Sequence, residues 1–229
     1  MAESSRRAKG APAAPGECLL FGSRGSGSAS TEMGLRACGL PYRVVRASTW
    51  EEDSDRELLA RHNPLGQIPT LVLPDGSVLT ESAAILIHLG LAHPSSALLS
   101  EDVRARAQAI RGLVFIAANC YSAISIIDYP ERWTTATTQP ARDKVRQGAR
   151  ARLHRHWEIF ADTFMPLAPR GGFLGGAVPG ALDMLAVVVS RWSGARAHLK
   201  KERPALHDLL LRAEAHERIA PVVRQHWPG

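Results

Sequence analysis

At 229 residues, with 45% apolar and 22% charged positions, the chain has the composition of an ordinary globular protein of one large or two small domains, and its unbroken apolar runs are too short to span a bilayer. Its net charge of +6 includes −3 over residues 17–92 and +7 over 93–229, a change of sign that places a domain boundary near residue 93. Three cysteines, Cys18, Cys38 and Cys120, stand at no CxxC or metal-type spacing, which argues against a disulfide scaffold and for free thiols in a reducing, cytoplasmic compartment.

Residues 1–16 are small, polar and proline-bearing and read as a disordered tail; no long apolar segment follows Arg6-Arg7, so an export signal is not expected. From residue 17 strand and helix signals alternate. ECLLFG is a short apolar run, SASTEMGLRACGL a helix stopped by Gly39, and PYRVVRAS a β-branched run opened by Pro41. A short helix in EDSDRELLARHN is halted by Asn63-Pro64. Strands over Thr70–Leu73 and Ser77–Leu79 flank Pro74-Asp75-Gly76 as a hairpin, and a helix starts at Ser82. The order βαβαββα predicts an open mixed sheet covered by helices over residues 17–92.

Beyond a linker at 93–97 the strand signal disappears. Val103, Ala107, Ile110, Val114, Ala117, Tyr121 and Ile124 recur in steps of three and four, which predicts one face of a long helix. Further helices are expected over about 141–164, from Ala181 through DMLAVVVSRW, and in ALHDLLLRAEAH and ERIAPVVRQHW, making residues 98–229 an all-helical bundle. Its arginines are scattered along these helical patterns with few interleaved aromatics, so solvated helix faces explain the basic charge better than nucleic acid does.

The stretch NPLGQIPTLVLPDGSVLTES, residues 63–82, carries chemistry. Pro69 at the start of a strand is either a trans edge proline or a cis turn that leaves the Ile68 N–H and C=O pointing outward. Ser82 is placed to cap a helix whose N-terminus offers free N–H groups to a carboxylate, and Glu81 beside it suits an ammonium. A ligand with an α-amino acid end and a peptide unit in its middle would satisfy all three. A plain helix cap with one solvated acid is the alternative reading.

NPLGQIPTLVLPDGSVLTESAAILIHL resembles the glutathione-binding half of the cytosolic glutathione transferases, in which NPxGxVPxL is followed by a hairpin and then by (E/Q)S opening a helix. The resemblance implies a fold of α/β plus all-α type, an N-terminal thioredoxin-like βαβαββα domain followed by a C-terminal helical bundle. It also implies a homodimer, glutathione as cosubstrate, and no metal. Pro69 would be the cis-proline and Ile68 would pair with the cysteinyl unit. Glu81 and Ser82 would hold the γ-glutamyl end, and Gln67 would reach the glycyl carboxylate with a neutral contact where many relatives have lysine.

The thiol-activating position of such enzymes would fall in GSRGSGSASTEMGL. A thiol of pKa about 8.5 is only a few per cent thiolate at pH 7, and lowering it by two units takes about 2.7 kcal/mol, a task suited to a hydroxyl at a helix N-terminus. Ser26 is the first choice, with Ser28 and Ser23 as alternatives. Members with a cysteine there would place it at Gly27, and members with a tyrosine near Gly22, so neither chemistry is expected. The same run also reads as a flexible glycine-serine loop. The family's (S/T)xxD helix entry is half present as Gly180 and Asp183, a folding feature.

Asn119 and Tyr121, with Trp133, are candidates for the second-substrate wall, although the spacing of Tyr121 also fits core packing. Nine histidines show no i, i+4 ligand pair, and His62 falls near the glycyl end of the expected ligand. The expected function is attack of glutathione thiolate on a small electrophile. Glutathione-dependent isomerisation or reduction, a non-catalytic glutathione-binding module, and a nucleic-acid-associated protein are the rivals, with no membrane partner.

Overall fold

Residues 14–228 are described in a computed structural model; of the segment read as a tail, residues 1–13 lie outside it. Period-two alternation in the first strand decides how the sheet is covered. In β1 (Cys18–Gly22), Cys18 and Leu20 enter the main core, whereas Phe21 packs on the opposite face with Ala47, Leu59 and Val72. With β2 (Tyr42–Arg46), β3 (Thr70–Val72) and β4 (Val78–Thr80) it forms a sheet of order β2-β1-β3-β4. The β1–β2 pair is parallel; the β1–β3 and β3–β4 pairs are antiparallel.

α1 (Ser28–Ala37) and α3 (Ser82–Ala92) cover the main-core face, and the short α2 (Arg56–His62) covers the other through Leu59. Asp55 caps α2 by accepting the Leu58 N–H at 3.3 Å. The β3–β4 turn is closed by the Asp75 carboxylate, which accepts the Ser77 N–H at 2.8 Å, while Gly76 takes a left-handed φ of 85°. The expected fold class is therefore observed: a thioredoxin-like sheet followed by helices.

The long helix runs as α4 (Val103–Phe115), a π-helical segment (Ile116–Tyr121) and α5 (Ser122–Asp128). Its buried residues are Ala109, Gly112, Leu113, Ile116, Cys120, Ala123, Ile124 and Ile127, so the predicted stripe holds in part: Ile124 is buried and Ile110, Ala117 and Tyr121 pack half-buried on the core, but Val103 and Val114 are 67% and 51% exposed. Two adjacent apolar stripes compete on this helix, and sequence periodicity does not say which one meets a partner. By length and hydropathy alone Val103–Asp128 would suffice to cross a bilayer, contrary to the sequence reading of apolar runs; it instead packs beside α6 (Gln139–Phe164) and α7 (Ala181–Val189).

α7 is buried at every residue, as a helix apolar nearly all round should be. α8 (Ala195–Glu202), which the sequence reading passed over, α9 (Pro204–Ala215) and α10 (Ala220–His226) complete the bundle. One apolar cluster joins Leu20, Met33 and Leu86 of the sheet half to Trp157, Leu185 and Leu210 of the helical half. α1 sits between them, touching α3, α7 and α10. The loop that starts α1 is thereby held by both halves.

Candidate active site

A cleft of about 580 Å³ opens between the sheet and the helices. Its floor comes from the loops at the ends of β1, β2 and α2 and from the β4–α3 junction; its far wall comes from the π segment, α5, α7 and Trp192. Ser26, Gln67, Ile68, Pro69, Glu81, Ser82 and Tyr121 all line it, so the structure brings seven of the nine candidate residues together. Ser28 and Asn119 do not line it.

The segment before β3 is shaped by a buried amide. Asn63 Nδ2 donates to the Gln67 carbonyl at 3.1 Å and to Thr70 Oγ1 at 3.0 Å, while its Oδ1 accepts the Leu65 N–H at 3.0 Å. Thr70 Oγ1 donates to the same Gln67 carbonyl at 2.8 Å. These bonds fold residues 63–70 into a fixed arch, and the Ile68–Pro69 peptide bond within it is cis. Among the described residues nothing hydrogen-bonds the Ile68 N–H or C=O. Asn63 as the organiser of this arch escaped the sequence reading, where it figured only as a helix stop.

Glu81 rather than Ser82 is the N-cap of α3, which corrects the expected cap. Its φ of 65° and ψ of 113° turn the chain so sharply that Ser82 is already the first helical residue. Among the described residues no side chain caps this helix, so the Ser82 hydroxyl and the first N–H groups of α3 face the cleft. A non-glycine residue held at such a φ is a costly arrangement, of the kind that collects at ligand sites.

At the other end of the cleft, Ser26 Oγ donates to the Ser23 carbonyl at 2.7 Å and accepts the Ser28 N–H at 3.2 Å. Ser28 Oγ lies 2.9 Å from Ser26 Oγ and 3.2 Å from the same Ser23 carbonyl. Ser28 is fully buried, so it supports Ser26 instead of facing a ligand. Ser23 is buried too, and its hydroxyl has no partner among the described residues. The flexible-loop reading does not hold: within residues 23–30 only Arg24 is exposed and Gly25 half-buried.

Asn119 is turned away by the helix it sits on. Its Nδ2 donates to the Phe115 carbonyl at 3.1 Å, and its own carbonyl lies 2.9 Å from His156 Nδ1 on α6. Trp133 is exposed away from the cleft, and His62 packs its ring on Phe21 at 5.3 Å. Tyr121 does both things weighed for it: it packs on the core and also lines the cleft, its ring meeting Trp192 edge-on at 5.7 Å. Burial first, then the charges of Glu81 and Asp128, push its phenol up to about 12, so it holds its proton at neutral pH.

A model of the glutathione S-transferase N-terminal domain matches residues 28–91. The chain is 36% identical over 129 residues to the uncharacterised GST-like protein YncG of Escherichia coli, covering 55% of this chain and 62% of that one. It is 31% identical over 164 residues to the probable glutathione S-transferase BZ2 of Zea mays, covering 69% of this chain and 66% of that one. Through residues 28–91 the chain is similar to the glutathione S-transferases. The matched region spans just under two thirds of the length of each of these two relatives. A solved glutathione transferase homologue from Sulfitobacter, with bound glutathione, superimposes with a TM-score of 0.77 at 20% identity over 90% of this chain and 97% of that one.

Within the transferase family's patterns, two absences now have steric reasons. A Cβ on Gly27 would collide with the Tyr121 hydroxyl, so any larger residue at this position, the expected place of a cysteine, requires that tyrosine to move. A Cβ on Gly22 would lie 2.5 Å from Ser28 Oγ, which occupies the space a larger residue needs. The half-present helix entry is also accounted for. Asp183, fully buried, accepts N–H groups from Leu174 at 2.9 Å, Gly175 at 2.7 Å and Gly180 at 2.9 Å, while a Cβ at 180 would sit 2.8 Å from the Leu98 carbonyl.

Proposed function

We propose that this cleft binds glutathione and directs its thiolate at a small electrophile, with a serine as the thiol-activating group. What carries the reading is the convergence, in one cleft, of an unpaired backbone N–H and C=O at Ile68, an uncapped helix N-terminus at Ser82 and the Ser26 hydroxyl. Ile68 pairs with the cysteinyl unit as one more strand would. The γ-glutamyl carboxylate takes the Ser82 hydroxyl and the first N–H groups of α3, and its ammonium takes Glu81. Gln67 takes the glycyl carboxylate.

Ser26 is positioned to donate to sulfur because Ser28 can replace it. Once Ser28 Oγ takes over the Ser23 carbonyl, 3.2 Å away, the Ser26 proton is released while the Ser28 N–H still holds its oxygen. That exchange needs no backbone movement. The second substrate enters against Tyr121, Leu185 and Trp192. The Tyr121 phenol, protonated at neutral pH, stands over the loop as a second donor.

The test is the ultraviolet absorbance of thiolate in the glutathione complex, followed against pH. Wild type should hold the bound thiol well below its free value, and Ser26→Ala should raise it by about one pH unit, with glutathione affinity little changed. An identical titration for wild type and Ser26→Ala would remove Ser26 from the role. Tight binding with the thiol at its free value would make the protein a glutathione-binding module.

A further inference from the structure

The loop that carries Ser26 is tied to the C-terminus of the chain by a buried histidine. His226, the last residue of α10, and Glu32 in α1 have side chains only 3% and 2% exposed, and His226 Nε2 lies 2.6 Å from Glu32 Oε1. On its other side the ring meets the Gly25 N–H, which donates to Nδ1 at 3.1 Å. An N–H can only donate, so Nδ1 carries no proton and the ring hydrogen sits on Nε2, facing the carboxylate. Glu32 Oε2 in turn accepts the Tyr42 hydroxyl at 3.4 Å. Gly25 Nα, the His226 ring and the Glu32 carboxylate therefore form one directed chain.

The neighbouring residues fasten the same two segments. Arg24 Nε donates to the Gln225 carbonyl at 2.9 Å, and the Trp227 indole lies against Gly25, held from behind by the Arg191 guanidinium 4.4 Å from its ring. Residues 24–25 and 225–227 are thus joined by contacts that include two hydrogen bonds 201 positions apart in sequence. If docking α10 were the only need, an apolar residue at 226 would do it without taking a carboxylate and an imidazole out of water. What the imidazole adds is an acceptor for the amide of Gly25, a left-handed residue (φ 72°) immediately before Ser26.

We infer that His226 is a positioning residue for thiol activation: by accepting the Gly25 N–H while Glu32 orients its ring, it fixes the Ser26 hydroxyl at the cleft. This rests on the proposed role of the Ser26 loop. Asparagine and glutamine separate the two bonds of the ring. His226→Asn places an amide oxygen near the Nδ1 position and keeps an acceptor for Gly25, while His226→Gln reaches Glu32 and gives up Gly25; His226→Leu loses both.

The experiment measures glutathione affinity and the bound-thiol titration for wild type, these three variants and Arg24→Ala, with folding checked by circular dichroism. His226→Leu and His226→Gln should raise the bound-thiol pKa by about one pH unit, with less than a threefold change in affinity, and His226→Asn should restore it. Wild-type titrations in Leu and Gln, or an Asn variant no better than Leu, overturn the inference and leave the Ser26 reading standing. A wild-type protein that does not lower the thiol pKa overturns both. Should His226→Leu fail to fold, the exposed Arg24→Ala decides, since it loosens the same link from outside the core: a rise supports the inference and an unchanged titration overturns it.

Discussion

Gly27 is a glycine for reasons of space, and that can be measured. Its φ of −60° and ψ of −19° are ordinary helical values, so alanine adopts them without strain, and the backbone terms of Gly27→Ala stay under about 1 kcal/mol. The cost lies in one contact. The new Cβ would stand 2.3 Å from the Tyr121 hydroxyl oxygen, 3.2 Å from Cζ and 3.4 Å from Cε2. The hydroxyl must retreat by about 1 Å, but the ring is backed by Trp192. Overpacking of this kind costs about 1–3 kcal/mol.

Tyr121→Phe removes the colliding atom and leaves only the two ring carbons at 3.2 and 3.4 Å, which a few tenths of an ångström relieve. The hydroxyl makes no hydrogen bond among the described residues, so the single substitution is mild. A double-mutant cycle by urea unfolding should therefore show Gly27→Ala destabilising wild type by about 2 kcal/mol and the Tyr121→Phe background by less than about 1 kcal/mol, a coupling of at least about 1 kcal/mol. Additivity within about 0.5 kcal/mol would refute the steric account, and with it the reason given for a cysteine-free loop.

Two further outcomes follow from strained or buried acids. Glu81→Gly should raise the melting temperature, since glycine accepts a φ of 65° and relieves about 1 kcal/mol of strain, while weakening glutathione binding at least tenfold through loss of the carboxylate; a variant that neither gains stability nor loses affinity would break the link drawn between strain and site. Burial raises Asp183 to about 6 despite three N–H donors, so between about pH 4 and 6 the folded state keeps a proton the unfolded state has lost, and this group's contribution to stability falls as pH rises through that window. Asp183→Asn lacks that term, and its stability deficit in urea unfolding should be about 2 kcal/mol larger at pH 4.5 than at pH 7; an equal deficit at both refutes the raised value.

What the sequence made legible was what local chemistry dictates. Alternation in CLLFG, the Pro-Asp-Gly turn and the NP stop before Ile68 each constrain their own segment, and together they order the whole sheet half. The predicted stripe on the long helix failed at its N-terminal end, at Val103 and Val114, because the helix is apolar on two adjacent stripes and the buried one there runs through Ala109, Gly112 and Leu113. Asn119 and Tyr121, two positions apart within the π segment (Ile116–Tyr121), part company: the Asn119 amide turns back to the Phe115 carbonyl of its own helix, and Tyr121 faces the cleft. α8 was missed because ARAHLKKE buries only Ala195 and Leu199, too few apolar positions to show a period. The expected cap at Ser82 failed on a backbone φ that no side-chain pattern announces.

The run from Ser23 to Ser30 shows most clearly why composition misleads about this site. Glycine and serine are what a flexible linker would use, and they are also what remains when every neighbour stands close. Here Ser28 fills the space beside Gly22, the Tyr121 hydroxyl fills the space beside Gly27, and Trp227 lies against Gly25, so each of these glycines is matched to a particular side chain, two of them from far along the chain. The hydroxyls are used in the same economical way: Ser26 and Ser28 share the Ser23 carbonyl, and Ser30 donates to the Gly27 carbonyl at 2.9 Å. A loop closed on itself by Ser28 and on distant segments by Tyr121 and Trp227 is rigid because it is small. That rigidity is what a lone hydroxyl requires if it is to stabilise a thiolate, since a donor free to wander loses in ordering entropy much of what its hydrogen bond contributes.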